Sequence, residues 1–590
     1  MNVSRLALLC VTVTFMAAHS PDTDADDLTL DYRRAAGSQT DGRSPVIAQH
    51  GMVATSQPLA VQAGLEILKR GGNAVDAAIA TSAAMGVVEP MSCGIGGDLF
   101  VIYYEAKTKK LYGLNGSGRS PYELTIEKVR AAGHSEIPDD GPLSWSVPGC
   151  VRGWEDLRAR FGTRPLAELL EPAIRYADDG FPVSPIIGAG WRGATKSLSA
   201  TPEAAQTFLV AGDSAGDNSR RAPEIGEIFR NPRMAATYKA IAANGADEFY
   251  TGAVAKEIAA YSRKVGGFLS ERDLADHKSD WIEPVSTNYR GYDVWELPPN
   301  GQGIAVLQML NMLERHDVRK MGFGSPEYLH LLLESKKLAY ADRARFYADA
   351  AMADVPTKKL ISKEYAAERA KLFSPTKALT NVPHGDPKLV HGDTIYLTVV
   401  DKDRNCCSLI QSLYYGFGSQ HVAGNLGFAL QNRGALFSLD AKHPNALVPH
   451  KRPFHTIIPA MVTKGDKPIF CFGVMGGDFQ PQGHVQVLVN MIDFGMNPQA
   501  AGDAPRIGHT GGAKPIDSLQ SMAGPGANGG GTVSVEAGIS DATVARLQQI
   551  GHHVVRGGAG GGFQGILIDW KHGVLIGGTE SRKDGCAAGW

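Results

Sequence analysis

The stretch from Asn73 to Pro90, NAVDAAIATSAAMGVVEP, has the length of a helix but is apolar nearly all round. A helix without a polar face has nothing to offer solvent, so this one is predicted to be buried. The preceding SQPLAVQAGLEILKRGG reads as an amphipathic partner. Ser56 is its expected N-cap, Val61, Leu65 and Leu68 share one face, and Gly71 is its stop. After the pair, the β-rich LFVIYY, a Lys-rich turn and LYGLNG predict a hairpin that begins a sheet and ends near the glycine-flanked Arg119. The middle third is helical in pattern, in IAVLQMLNMLER and in YLHLLLESKKLAYADRARFYAD, and these helices are expected to cover the sheet.

The periodicity lapses in SPTKALTNVPHGDPKLVHGD, residues 374–393, which carries Pro and Gly and reads as a surface linker. Strands resume abruptly at TIYLTVV, turn at DKDRN, and return through CCSLIQSL. From there strands, glycine turns and helices alternate to the C-terminus without an internal repeat. A chain of 590 residues with 69 glycines and no collagen-like period fits one large interwoven α/β unit rich in tight turns.

Charge narrows the partners. The 61 acidic and 59 basic residues nearly cancel and form no block, which argues against nucleic acid or an anionic membrane and favours a small-molecule substrate. Residues 1–20, with Arg5 before an apolar run from Leu6 to Ala18, resemble a secretory signal peptide, and 21–45 form a polar leader. A secreted or periplasmic protein is expected, cytoplasmic if that reading fails; the apolar run is too short to span a membrane. The cysteines form no CxxC or metal-finger spacing, and disulfides stay open. The scattered histidines predict no metal, and no cofactor is expected. Gly560, Gly562 and Gly565 match the spacing of a dinucleotide fingerprint, but GILIDWKHGVLIGG continues as strand, turn, strand rather than into a helix.

The segment HGDTIYLTVVDKDRNCCSLIQSLYYGFGS resembles the γ-glutamyltransferase family, in which a reactive Thr opens a strand that ends in Val-Val-Asp. Thr394 stands at that place. Further similarity lies in GMVATSQPLA, LKRGGNAVDAAIA, PPNGQGIAVLQMLN, HKRPFHTIIPAM and VMGGDFQPQGHVQVLVNMIDFGMNPQAA, so it runs from about Val46 to the end. The resemblance implies the four-layer αββα sandwich of N-terminal-nucleophile hydrolases. It also implies cleavage between Asp393 and Thr394, giving a large subunit (46–393) and a small catalytic subunit (394–590), both contributing strands. Homo-oligomers of such processed pairs are compatible with it.

The same resemblance assigns Thr394 as nucleophile, with its freed α-amine, of pKa about 7.7 to 8.0, as base. It places Gly476 and Gly477 as oxyanion donors and Ser412 as the group orienting the nucleophile. The pocket departs from the family. Counted without gaps from Thr394, Tyr414 stands at an Asn position, Arg433 at a Gln position and Leu436 at the acidic position. His455 and Thr456 replace paired serines, and Ser117 takes the place of an Arg, with Arg119 two residues on. Losing the acid removes the partner of a substrate ammonium, while Arg119 and Arg433 could still hold a carboxylate. Three readings stay open: hydrolysis or transfer of a γ-glutamyl group as in glutathione, amidase or acylase action on another carboxylate-bearing amide such as an oxamate or glutaryl type, and an uncut non-catalytic relative.

Overall fold

A computed structural model of the uncut chain describes residues 42–212, 219–379, 382, 393–523 and 530–590. The expected signal peptide, most of the leader and most of the linker before Asp393 lie outside the described residues.

Among the described residues, fourteen strands build two large sheets. In chain order they are β1 (Val46–Ala48), β2 (Met52–Thr55), β3 (Asp98–Glu105), β4 (Lys110–Asn115), β5 (Asp280–Ile282), β6 (Val285–Tyr289) and β7 (Tyr292–Glu296), followed by β8 (Asp393–Val400), β9 (Cys406–Tyr414), β10 (Ala460–Lys464), β11 (Lys467–Met475), β12 (Gly562–Asp569), β13 (Val574–Thr579) and β14 (Cys586–Gly589). One seven-stranded sheet has the order β1-β13-β12-β11-β10-β7-β6, the other β14-β2-β8-β9-β3-β4-β5. Every pairing within them is antiparallel. Strands from both sides of position 394 share each sheet.

The helices that cover these sheets include α1 (Pro58–Lys69), α2 (Ala74–Val88), α3 (Cys150–Phe161), α4 (Leu166–Asp179), α5 (Pro232–Asn244), α6 (Ala253–Lys264), α7 (Ile304–Leu313), α8 (Pro326–Phe346) and α9 (Gln480–Ile492). Side-chain alternation along the strands makes four layers of them. Leu99, Val101 and Tyr103 of β3, with Ile395, Leu397 and Val399 of β8, face α1 to α6. Their neighbours Phe100, Ile102, Tyr104, Tyr396 and Val400 turn instead to Met461, Cys471 and Ile566 of the other sheet. That sheet's far face, with Phe470, Phe472 and Val474, packs on α7, α8 and α9. The result is an αββα sandwich with both sheets buried on both faces.

Local chemistry explains the helix pair. All fifteen residues of α2 are buried, and Asn73 caps it in a box with Asp76. Gln57, not Ser56, caps α1: its side chain accepts from Leu59 N at 2.8 Å, and Pro58 opens the helix. Ser56 is drawn away because its hydroxyl donates to buried Glu89 at 2.7 Å. Gly71, at φ 90°, follows the helix as expected. Asp401, which ends the Val-Val-Asp run, accepts from Ala74 N at 3.0 Å and from Asn405 N at 2.9 Å. It therefore ties the N-terminus of α2 to the β8–β9 turn. Gly562 opens β12 and β13 follows directly, so the glycine triplet has no helix behind it. The described cysteines are all unpaired.

Candidate active site

Thr394 lies at the head of β8, in the middle of its sheet, and is only 2% exposed. A register shift between Asp393 and Ile395 breaks the ladder to β9 here: Asp393 pairs with Tyr414 and Ile395 with Gln411. Such a bulge re-aims a side chain, and the Thr394 hydroxyl donates to Ser412 Oγ at 3.2 Å. Ser412 Oγ also accepts from Tyr414 N at 2.8 Å. The Ser412 carbonyl sits so close to Gly97 that a Cβ there would meet it at 2.3 Å.

The facing sheet supplies Gly476 and Gly477. Thr398 Oγ1 donates to the Cys471 carbonyl at 3.4 Å, and the Tyr396 ring lies where a Cβ on Gly473 would fall. Gly476 and Gly477 follow directly on Met475, the last residue of β11. Gly476 has φ 121° and Gly477 φ 55°, left-handed backbone that other residues adopt at a cost. The Gly476 carbonyl accepts from Phe479 N at 3.0 Å, which closes the turn.

Arg433 is fully buried. Its Nη1 donates to Thr456 Oγ1 at 2.8 Å and its guanidinium lies 4.6 Å from the centroid of the Tyr414 ring. Among the described residues Nε and Nη2 have no hydrogen-bond partner. Burial pulls this guanidinium down to about 10, opposed by the Asp98 carboxylate. Tyr414 holds the strained value φ 85° and stacks on Tyr415 with centroids 4.1 Å apart. Tyr414, Tyr415, Leu436, Asp478, Asp139 and Lys514 are among the residues around a cavity of 460 Å³.

The remaining expected residues occupy other places. His455 is a supporting residue: Nε2 meets Asp98 Oδ2 at 3.0 Å while Nδ1 accepts from Ile457 N at 3.3 Å, so the ring is a neutral tautomer. Burial, and next the charge of Arg433, push it down to about 3. Arg119 is committed to Asp280 at 3.4 Å and Asp349 at 3.5 Å. Ser117 donates to Asn115 at 2.7 Å.

Two acids escaped the sequence reading. Asp98 accepts from Gly118 N and Gln431 Nε2 at 2.8 Å and stands opposite Ser412 in the β3–β9 register. The signal was the glycine pair before it in GIGGD, which allows that close approach. Asp478 follows the glycine turn, pairs with Arg343 and lines the cavity.

Among the described residues one group could hold a metal ion: buried His330, Glu334 and His552. It is already internally bonded. His330 Nδ1 and His552 Nε2 are 2.8 Å apart, and Glu334 accepts from Lys337 Nζ at 2.8 Å and Leu379 N at 2.9 Å. The ammonium already neutralises the carboxylate a cation would need. No helix among the described residues is long and apolar enough to cross a membrane.

Two facing antiparallel sheets between helical layers, in a chain whose relatives are proenzymes, define an amidohydrolase or transferase of the N-terminal-nucleophile hydrolase class. The model of the family described as gamma-glutamyltranspeptidase matches residues 60–590, and the chain belongs to that family. It is 38% identical to the glutathione hydrolase-like YwrD proenzyme of Bacillus subtilis, over 92% of this chain and 99% of that protein. With the oxamate amidohydrolase proenzyme of Klebsiella pneumoniae it shares 32%, over 92% and 99%. The crystal structure of cephalosporin acylase from Bacillus halodurans superposes with a TM-score of 0.83 at 44% identity, over 93% of this chain and 97% of that one.

Proposed function

We propose that the protein is an exported, autoprocessing amidohydrolase whose nucleophile is Thr394 and whose substrate is an amide with a carboxylate on its acyl half and no neighbouring ammonium. The observation that carries the substrate reading is Arg433, a buried guanidinium with two partnerless nitrogens beside Thr456. A carboxylate would satisfy both in a charge-assisted pair. Leu436, which lines a cavity together with the Tyr414 that Arg433 packs on, offers an ammonium nothing.

In maturation the Thr394 hydroxyl attacks the Asp393 carbonyl carbon. The C–N bond breaks as the ester forms, which frees the Thr394 α-amine, and water then hydrolyses the ester to the Asp393 carboxylate and the Thr394 hydroxyl. In turnover that amine takes the hydroxyl proton while Oγ1 attacks the substrate carbonyl. The Gly476 and Gly477 N–H groups receive the oxyanion. The departing amine carries away the proton, and water hydrolyses the acyl-Thr394 ester. Ser412 holds Oγ1 in the attacking position, which its 3.2 Å contact supports.

A second reading, γ-glutamyl hydrolysis or transfer, is favoured by Asp478, a carboxylate in the same cavity that could receive an α-ammonium. Its pairing with Arg343 weakens that case. Processed enzyme assayed with glutaryl and γ-glutamyl anilides, identical except for the α-amine, separates the two. A glutaryl preference of tenfold or more in kcat/KM is expected; the opposite preference would establish the second reading.

A further inference from the structure

Gln302, in the PPNGQG segment before α7, is fully buried and uses every hydrogen-bonding atom it has toward the site. Its Nε2 donates to the Gly477 carbonyl at 2.9 Å and to the Thr456 carbonyl at 2.6 Å. Its Oε1 accepts from Arg343 Nη1 at 2.5 Å. The same Arg343 nitrogen pairs with Asp478, whose carbonyl is held by the Tyr340 hydroxyl. One amide thus joins the glycine turn proposed for the oxyanion to the residue whose hydroxyl holds Arg433.

We infer that Gln302, locked by Arg343, is a positioning residue: it holds the Gly476–Gly477 turn at a fixed distance from the Thr456–Arg433 carboxylate end. Gln302 and Arg343 precede position 394 while the three residues they bond, Thr456, Gly477 and Asp478, follow it, so the link crosses the proposed cleavage and needs no chain continuity. The inference rests on the Thr394 reading above.

Only an uncharged amide meets the demand. Two N–H groups on one nitrogen reach two carbonyls while the oxygen on the same plane takes the guanidinium. Glu would set a carboxylate against two carbonyl oxygens, and Met would leave both carbonyls and the guanidinium short of a partner. The Gly477 carbonyl and the Gly477 N–H lie in successive peptide planes joined at its Cα, so a carbonyl released by Gln302 lets the Gly477 backbone torsions relax and turns its N–H away from the developing charge. Such misplacement is felt in the transition state more than in substrate binding.

The test uses the full-length chain. Gln302→Met and Gln302→Glu are purified, cleavage is followed on a denaturing gel, and kcat and KM are measured per cleaved active site with the anilide that wild type turns over better. The expected result is cleavage, a kcat reduced about 10- to 100-fold and a KM raised no more than about fivefold. A merely structural role would lower Tm and yield but leave kcat per site within twofold of wild type, and that result overturns the inference. If both variants fail to fold, Arg343→Lys decides. Its ammonium keeps the charge but ends one bond short of the single Nη1 that reaches both Gln302 and Asp478, so a five- to tenfold loss in kcat supports the inference and an unchanged kcat overturns it. A wild-type chain that stays uncut, or a Thr394→Ala chain that is cut or active, would instead refute the underlying nucleophile assignment.

Discussion

Arg433 lies 4.6 Å from the centroid of the Tyr414 ring, and that face is the neighbour of a guanidinium with two nitrogens left without hydrogen bonds among the described residues. An unpaired buried charge costs stability, and its retention in a site is best understood through the ligand that pairs with it.

Replacing Arg433 with Met should therefore separate stability from function. The variant is expected to unfold at the same temperature as wild type or higher, because a hydrophobe replaces an uncompensated ion. Its kcat/KM for the carboxylate-bearing anilide should fall at least 30-fold, consistent with about 2 kcal/mol or more for a lost buried charge-assisted contact. Calorimetry and steady-state kinetics on one preparation check both halves. A lowered Tm with unchanged KM would make Arg433 structural.

Thr394→Ala should run as one uncut chain on a denaturing gel, while wild type yields two. Ser412→Ala should still be cut but lose about 10- to 100-fold in kcat, since the hydroxyl that holds Thr394 Oγ1 is gone. Mass spectrometry of the mature N-terminus locates the cut.

Gly477→Ala keeps its N–H but must hold φ 55°, at about 1 to 2 kcal/mol for an L-residue. Relief of that strain tilts the turn. A tenfold or greater loss of kcat with little change in KM is expected, read from initial rates on cleaved enzyme.

Acid should destabilise the fold before the carboxylates titrate. Burial is the leading cause that lowers His277, His455 and His484 to about 3, and His443 to about 4. Their folded pKa values lie below the unfolded value of about 6.5, so the unfolded chain binds protons that the folded one refuses. Their contribution is fully present above about 6.5 and is lost as pH falls from there toward 3. Each costs about 1.4 kcal/mol per pH unit in that window. Urea midpoints at pH 7 and pH 5 should show the drop, and His484→Gln should lessen it; midpoints independent of pH over that range would contradict it.

Much of this protein was legible along the chain. The all-apolar α2, the β3–β4 hairpin and the placement of Thr394 before Val-Val-Asp are local patterns, set by periodicity and by residue types a few positions apart. The N-cap was missed because Ser56 is claimed by Glu89, 33 positions away. Arg119 looked like a carboxylate ligand because sequence shows a cation and hides Asp280 and Asp349, which neutralise it. Asp98, Asp478 and the double grip of Gln302 were invisible for the same reason. Burial and hydrogen-bond partnership are properties of packing, and here the packing joins segments that lie 154 to 357 residues apart. The sequence by itself determined the layers and the place of Thr394 ahead of Val-Val-Asp; only the tertiary structure decided which charges are spent on the fold and which, like Arg433, keep donors without a partner among the described residues.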